Sequence, residues 1–338
     1  MRRSVKQSDV KNDNLSRKRP VRKIVAAAAV ILAVFICLSF IGAGIIFELI
    51  FRRTETTGNI YEYSRSDAEK YPRSEIEIIS GNERLFGHVY DVPDSRGVVL
   101  LCSGFHENTE CHLPEVFFLA DSGYDVVTFD FTGHGRSSGS GINGFSQARS
   151  DVNAALEYIR SNEVLSCEPV FLLGYSMGAY AAAASLSGNG DVRGAVCISA
   201  FNDPLGYMYS TGISHAGPIA SLGIPFLWMW SRIRCGEEHG LTAIDSINES
   251  GIPVLVLYGS DDKTVPPDQS LYAKENECTA PGSTFVLVTE PERNRHMTIL
   301  MSESSAAEMK NGAVDDAGKV VLDSGMKELI LGFLENCA

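Results

Sequence analysis

The 338-residue chain contains no CxxC pair, no internal repeat and no low-complexity tract, and its only tryptophans are Trp228 and Trp230. Setting Cys37 aside within an apolar segment leaves seven cysteines, a number that cannot pair off within one chain. A domain of this size folds without staples, so the cysteines bear on the compartment without settling it. Cys102 and Cys197 sit inside apolar runs as expected buried thiols, and Cys102 with Cys111 is the sequence-local pair to test for a bridge. Positive charge is scarce beyond the first 23 residues. Those 23 hold nine Lys/Arg against Asp9 and Asp13, a net of +7, so with −13 overall the remainder carries −20. A body that acidic repels phosphate backbones, so no nucleic-acid partner is expected. With 44% hydrophobic and 21% charged residues, collagen-like, low-complexity and wholly disordered chains are excluded too.

What is present begins with a run of 24 residues without charge, Ile24 to Phe47. At helical rise this spans roughly 36 Å, enough to cross a hydrocarbon core of about 30 Å. A buried soluble helix rarely runs this long without a polar stripe. A cleaved signal peptide usually has an apolar core of about 7–15 residues that ends at a small-x-small site, whereas Gly42-Ala43-Gly44 is followed by more apolar chain. The segment reads as an uncleaved transmembrane helix. Its basic flank is N-terminal, since only Arg52 and Arg53 lie close behind it. The expected topology is therefore single-pass in the cell membrane, with residues 1–23 a cytoplasmic tail and the body extracytoplasmic. Residues 48–73 are polar and weakly periodic, as in a juxtamembrane stalk, and 74–338 form one domain.

Within that domain, Glu75–Ser80 and Arg84–Tyr90 alternate around Gly81-Asn82 as a hairpin would. Short, nearly uninterrupted apolar runs follow: Val98–Cys102, Val126–Phe129, Val170–Leu173, Ala195–Ile198, Val254–Tyr258 and Phe285–Val288. Continuous apolarity marks strands covered on both faces, hence a parallel sheet. Helical stretches fall between them at Pro114–Asp121, Phe145–Arg160, Met177–Leu186 and Pro267–Asn276, with a last one near Gly318–Glu335. The alternation predicts an α/β, doubly wound, mostly parallel sheet whose ligand site lies at the strands' C-terminal ends.

The turn after Val170–Leu173 reads Gly174-Tyr175-Ser176-Met177-Gly178, a G-x-S-x-G. With Gly and Ser each near 7% of residues, chance supplies one such match in about ten chains of this length, so placement carries the argument. Between a strand and a helix the turn is strained, exposes the serine hydroxyl and sets it at a helix N-terminus. Serine needs a base, and the base an orienting acid. Gly259-Ser260-Asp261-Asp262 follows strand Val254–Tyr258, and Asn294-Arg295-His296 follows Phe285–Val288. Asp261 competes with Asp262, but the G-x-x-D spacing favours Asp262. Ser176, Asp262 and His296 thus stand in chain order as nucleophile, acid and base. An oxyanion hole needs two backbone N–H donors, one from Met177 and one from within Ser103-Gly104-Phe105-His106.

Together with Asp130-Phe131-Thr132-Gly133-His134-Gly135-Arg136-Ser137 and Val265-Pro266, these stretches make the sequence similar to the α/β-hydrolase superfamily, in its serine-aminopeptidase and monoacylglycerol-lipase-like branch. The resemblance covers nearly all of residues 75–335. It implies Ser176, Asp262 and His296 as catalytic residues, Phe105 and Met177 as oxyanion donors, and no metal or organic cofactor. Two departures stand out. Ser103-Gly104 replaces the family's His-Gly, and Asn294-Arg295 stands where Gly usually precedes the histidine.

Other residues read as supporting. Asp203 is expected to cap a helix at Pro204 and His134 to hold its glycine turn, while His106 and His112 read as surface-loop histidines. Gly139-Ser140-Gly141-Ile142-Asn143-Gly144 matches G-x-G-x-x-G but stands too far from its strand to bind a dinucleotide. About 48 residues, 201–248, separate two core strands and hold Phe201, Tyr207 and both tryptophans. They are expected to form a helical lid, with Trp228 and Trp230 as candidates to line an apolar substrate pocket. The expected function is a membrane-anchored serine hydrolase that cleaves an ester or amide bond of a small-molecule acyl or ester substrate through an acyl-enzyme intermediate. A peptidase, an acyltransferase and a non-catalytic binding module on the same scaffold are the alternatives.

Overall fold

The computed structural model describes residues 9–53, 63–236, 240–310 and 320–338. The first eight residues of the basic tail, stalk residues 54–62, His239 and the expected helix start at Gly318 lie outside them, as do the side chains of the tail up to residue 21 and that of His215.

The apolar runs form strands of one eight-stranded sheet. Its strands are β1 (Arg73–Ser80), β2 (Glu83–Tyr90), β3 (Val98–Cys102), β4 (Asp125–Phe129), β5 (Val170–Tyr175), β6 (Val192–Ile198), β7 (Val254–Gly259) and β8 (Thr284–Val288), in the order β1-β2-β4-β3-β5-β6-β7-β8. Only the hairpin at one edge is antiparallel, β1 to β2 and β2 to β4, and the other neighbours run parallel. Every residue of β3, β4, β5 and β7 is buried, as continuous apolarity requires of strands sandwiched between helices. At the far edge β8 is half exposed despite an equally apolar run, because an edge strand lacks a neighbour on one side.

The helices are α1 (Asp9–Phe51), α2 (Arg65–Lys70), α3 (Leu113–Asp121), α4 (Phe145–Ser161), α5 (Met177–Ser185), α6 (Pro204–Ala216), α7 (Ile224–Cys235), α8 (Ala243–Ser250), α9 (Glu303–Lys310) and α10 (Ser324–Cys337). One apolar cluster joins the sheet to α4, α5 and α8, and a second joins its opposite face to α3, α9 and α10. The central α5 is buried along its whole length. Its alanines let it lie close to the sheet, and a Cβ on Gly178 would come within 2.2 Å of the Cys102 carbonyl oxygen.

Three expectations need correction. Pro267–Asn276 is not an α-helix but two 3₁₀ turns, Pro267–Gln269 and Tyr272–Glu277. Ser270 between them pairs with Phe201 in an isolated bridge, which draws its backbone into the extended region and breaks the helix. The last helix begins at Ser324, where Asp323 accepts the Met326 N–H as its N-cap. Of residues 201–248, only α6, the 3₁₀ turn Gly217–Leu222 and α7 depart from the sheet layers, for α8 is core, with Ala243, Ile244 and Ile247 buried on α5.

Residues 48–53 are not a free stalk. Phe47 and Phe51 at the end of α1 are buried in the first apolar cluster, 1% and 2% exposed. Beyond them, Arg52 bridges to Gly141, the Ile142 N–H donates to the Phe51 carbonyl, and Arg53 donates to the carbonyls of Gly135, Ser137 and Gly139. The glycine stretch 139–144 serves this docking. A Cβ on Gly141 would lie 2.3 Å from the Phe51 carbonyl oxygen.

Candidate active site

The C-terminal ends of β3, β5, β7 and β8 meet above the sheet. At the end of β5, Ser176 takes φ 51° and ψ −115°, a region that L-residues rarely adopt, before α5 starts at Met177. The Ser176 N–H is tied to the Ile198 carbonyl, and Gly174 and Gly178 face each other so closely that a Cβ on Gly174 would meet the Gly178 oxygen at 2.5 Å. Strain of this kind persists only where packing over-determines it.

Asp262 follows β7 with a fully buried carboxylate. One oxygen accepts the Thr264 and Val265 N–H groups at 2.8 and 3.0 Å, and the other meets His296 Nδ1 at 2.7 Å. Asp261 instead points outward and pairs with Lys263. His296 follows β8 in a loop with no glycine before the histidine, so its path depends on neighbours. The Asn294 carbonyl accepts the Asp261 N–H, Asn294 Nδ2 donates to the Ser260 hydroxyl, and the Ser199 hydroxyl donates to the His296 carbonyl. Gly259 supplies the room, since its Cβ would sit 2.3 Å from the Asn294 oxygen.

Ser176, His296, Phe105 and Met177 line one cleft of about 240 Å³. Phe145, Phe201 and Tyr207 form its apolar wall. Met177 occupies the first turn of α5, where backbone N–H groups lack helical acceptors. Neither Trp228 nor Trp230 borders this cleft. Trp230 packs on α1 instead, edge-on to Phe40 with centroids 5.2 Å apart.

Glu107 also lines the cleft, and sequence reasoning did not single it out. Its carboxylate accepts the Gly104 N–H and meets His112 Nε2 at 2.9 Å. Burial alone would raise this carboxyl, but His112 and the Gly104 N–H together hold it below the ordinary glutamate range. His112 is therefore no surface-loop histidine. It is buried, stacked on Tyr175, and although burial opposes its charge, Glu107 and Glu115 keep its pKa above the usual value. Glu107 thus anchors the loop in which Ser103 replaces the family's histidine. The available signal was an acid three residues after Gly104. His106, at φ 63°, is half-buried and stacks on Phe105.

The remaining polar residues keep their turns. Asp203 caps α6 by accepting the Leu205 N–H, and His134 Nδ1 bonds the Thr132 carbonyl. No disulfide joins Cys102 to Cys111 or any other pair of the described cysteines. Among the described residues no group of three or more His, Cys, Asp or Glu is placed to hold a metal ion.

Two buried histidines make stability depend on pH. Burial holds both His88 and His134 near a pKa of about 4, so the native state keeps them neutral while the unfolded chain protonates them from about 6.5 downward. Each therefore adds stability above pH 6.5 that is lost as pH falls towards 4, by about 3 kcal/mol there. Burial acts oppositely on Asp130, whose carboxyl rises to about 6 and offsets part of the loss over the same range. The urea midpoint should thus fall between pH 6.5 and 4, and fall less steeply in His88→Gln/His134→Asn. Equal slopes would exclude these histidines as the cause.

A family model described as serine aminopeptidase, S33, matches residues 93–237. An esterase of Pyrococcus furiosus, Pf2001, superposes with a TM-score of 0.61 at 18% identity, over 85% of this chain and 99% of that one. The fold is that of the α/β-hydrolases, and the sequence resembles their serine-aminopeptidase branch. Est1E of Butyrivibrio proteoclasticus, solved with ferulic acid bound, superposes at 0.51 with 15% identity, over 71% of this chain and 99% of that one. Curated relatives include the uncharacterized protein YqkD of Bacillus subtilis, 25% identical over 54% of this chain, and YfhR of Salmonella typhi, 27% identical over 50%. The matched regions span 61% and 56% of those two proteins. In this fold the strained Ser176 and the His296–Asp262 pair lie beyond the C-terminal ends of β5, β7 and β8.

Proposed function

We propose that this chain is a membrane-anchored serine hydrolase that cleaves esters of small acyl groups. The 2.7 Å contact between His296 Nδ1 and the buried Asp262 carboxylate, with Ser176 in the same cleft, carries the reading. Asp262 holds the imidazole with its Nε2 free to accept a proton. The Ser176 hydroxyl attacks the carbonyl carbon and passes its proton to His296, and the N–H groups of Phe105 and Met177 take the oxyanion. As the tetrahedral intermediate collapses, His296 returns the proton to the departing alcohol. Water, deprotonated by His296, then releases the acid and restores Ser176. The apolar wall of Phe145, Phe201 and Tyr207 and the modest cleft volume favour short acyl or aryl groups, and favour esters over peptides.

Arg22–Phe51 is one helix long and apolar enough to cross a bilayer, 30 residues whose most apolar 18-residue stretch has a mean hydropathy of 3.0. A signal sequence passes the same test. The anchor reading is supported by the burial of Phe47 and Phe51 in the domain's own core, because a segment destined for removal would leave that core open. The basic flank supports a cytoplasmic N-terminus and an extracytoplasmic domain.

A fluorophosphonate probe tests the reaction class. Covalent labelling of the folded protein, lost in Ser176→Ala, is expected. A folded wild type that takes no label would leave the non-catalytic binding module standing, and a panel of short and long esters against aminoacyl amides then ranks substrates.

A further inference from the structure

We propose that α7, together with the 3₁₀ turn before it, is embedded in the bilayer leaflet next to the domain, alongside α1, with lipid acyl chains as its partner. The inference rests on the anchor reading above and not on the catalytic one.

One face of α1 is sequestered within the protein, through Phe40, Gly44, Phe47 and Phe51, spaced as one helical stripe. The half of that stripe farther from the domain, Phe40 and Gly44, meets α7. The Trp230 ring lies so close to Gly44 that a Cβ there would sit 3.1 Å from it, and Arg234 pairs with Glu48 at 3.3 Å. Trp230 against residues 40–44 and Arg234 against residue 48 means that the two helices run in the same direction. The start of α7 therefore lies farther from the domain than its end.

Depth follows from the apolar run. Gly44 and Phe40 lie three and seven residues inside its end at Phe47, about 5 and 10 Å along the helix axis. The run exceeds a 30 Å hydrocarbon core by roughly 6 Å, so even with 3 Å given to the headgroups at each end, Trp230 remains at the upper hydrocarbon. The first residue of α7 is six positions earlier, up to about 9 Å deeper.

The composition of α7 matches that gradient. Its first seven residues, Ile224 to Trp230, carry no charge, and its last five include Arg232 and Arg234. Large apolar side chains face outward from it and from the turn before it: Leu222 in the turn at 65%, and Trp228 at 48% and Ile233 at 64% exposure on the helix. Such a patch is costly in water. Beside a membrane helix it has a natural cover, and tryptophan with arginine near the headgroups is the usual interfacial pairing.

Because the only tryptophans are both on α7, tryptophan emission, excited at a wavelength that tyrosine does not absorb, reports on this helix alone. The full chain would be reconstituted into phosphatidylcholine vesicles in which part of the lipid is brominated along the acyl chains. Wild type and Trp230→Phe, which leaves outward-facing Trp228 as the sole reporter, should both lose most of their emission to bromolipid and little to aqueous iodide. Wild type alone is decisive should the variant fold poorly. Quenching by iodide, or by neither agent, in protein that stays with the vesicles through alkaline carbonate overturns the embedding of α7 and leaves the anchor intact. Release by carbonate overturns the anchor and the embedding together.

Discussion

Replacing Ser176 with alanine is expected to lower turnover of an activated short-chain ester by about 10⁶, with little change in the thermal midpoint. His296→Ala should cost a similar factor, because without the base the hydroxyl is a poor nucleophile. Asp262→Asn should cost about 10⁴, since the amide leaves the imidazole in the wrong tautomer. The decisive comparison is Ser176→Ala/His296→Ala, which should be no slower than either single variant, because the two side chains act on one proton transfer. Steady-state hydrolysis of nitrophenyl esters measures all four. Ser176→Ala retaining a tenth of wild-type turnover would remove the proposed mechanism.

The second large effect lies outside the reacting atoms. Phe51 is 2% exposed and stands edge-on to Phe145, centroids 5.0 Å apart, and to Phe105, 5.8 Å apart. Truncation to alanine should cost about 3–5 kcal/mol through lost burial and the cavity left behind. In a domain of this size that is a fall of roughly 10 °C in unfolding temperature. Turnover should drop as well, by about tenfold or more, because Phe105 is the proposed oxyanion donor and small displacements there are expensive. Phe51→Leu, which keeps most of the volume, should recover most of both. Differential scanning fluorimetry and ester hydrolysis on the full chain in detergent provide the two readouts. Normal stability and activity in Phe51→Ala would mean that the end of α1 leans on the domain without supporting it.

That prediction changes how the proposed membrane segment is understood. An anchor on a loose stalk could be exchanged for any other without consequence. Here the helix terminates inside the domain, with Phe47 and Phe51 in its core and Arg53 holding three carbonyls of the 135–139 loop. Removing residues up to 53 to obtain a soluble enzyme would therefore open the core beside the cleft.

Much of this was legible in the residues alone. Uninterrupted apolar runs separated by helical stretches can be satisfied only by a sheet covered on both faces, which made the strands and their parallel pairing readable. Gly174–Gly178 after a strand, followed by Asp262 and His296 after later ones, named the candidate site because the chemistry tolerates few other residue types in those places. Twenty-four uncharged residues behind a basic flank marked, by length, a helix able to cross a membrane. What stayed hidden were contacts between segments remote in sequence. Glu107 became a structural acid only when the fold buried it against Gly104 and His112. Residues 139–144, which resembled a nucleotide loop, proved to be the place where the backbone of Phe51 and Arg52 comes closest. An aromatic cluster carries no address in sequence, so Trp230 reads as a candidate pocket residue until packing against Gly44 places it on α1. Local pattern reports which face of an element is apolar, whereas the identity of the surface that covers it is set by the whole chain's arrangement in space.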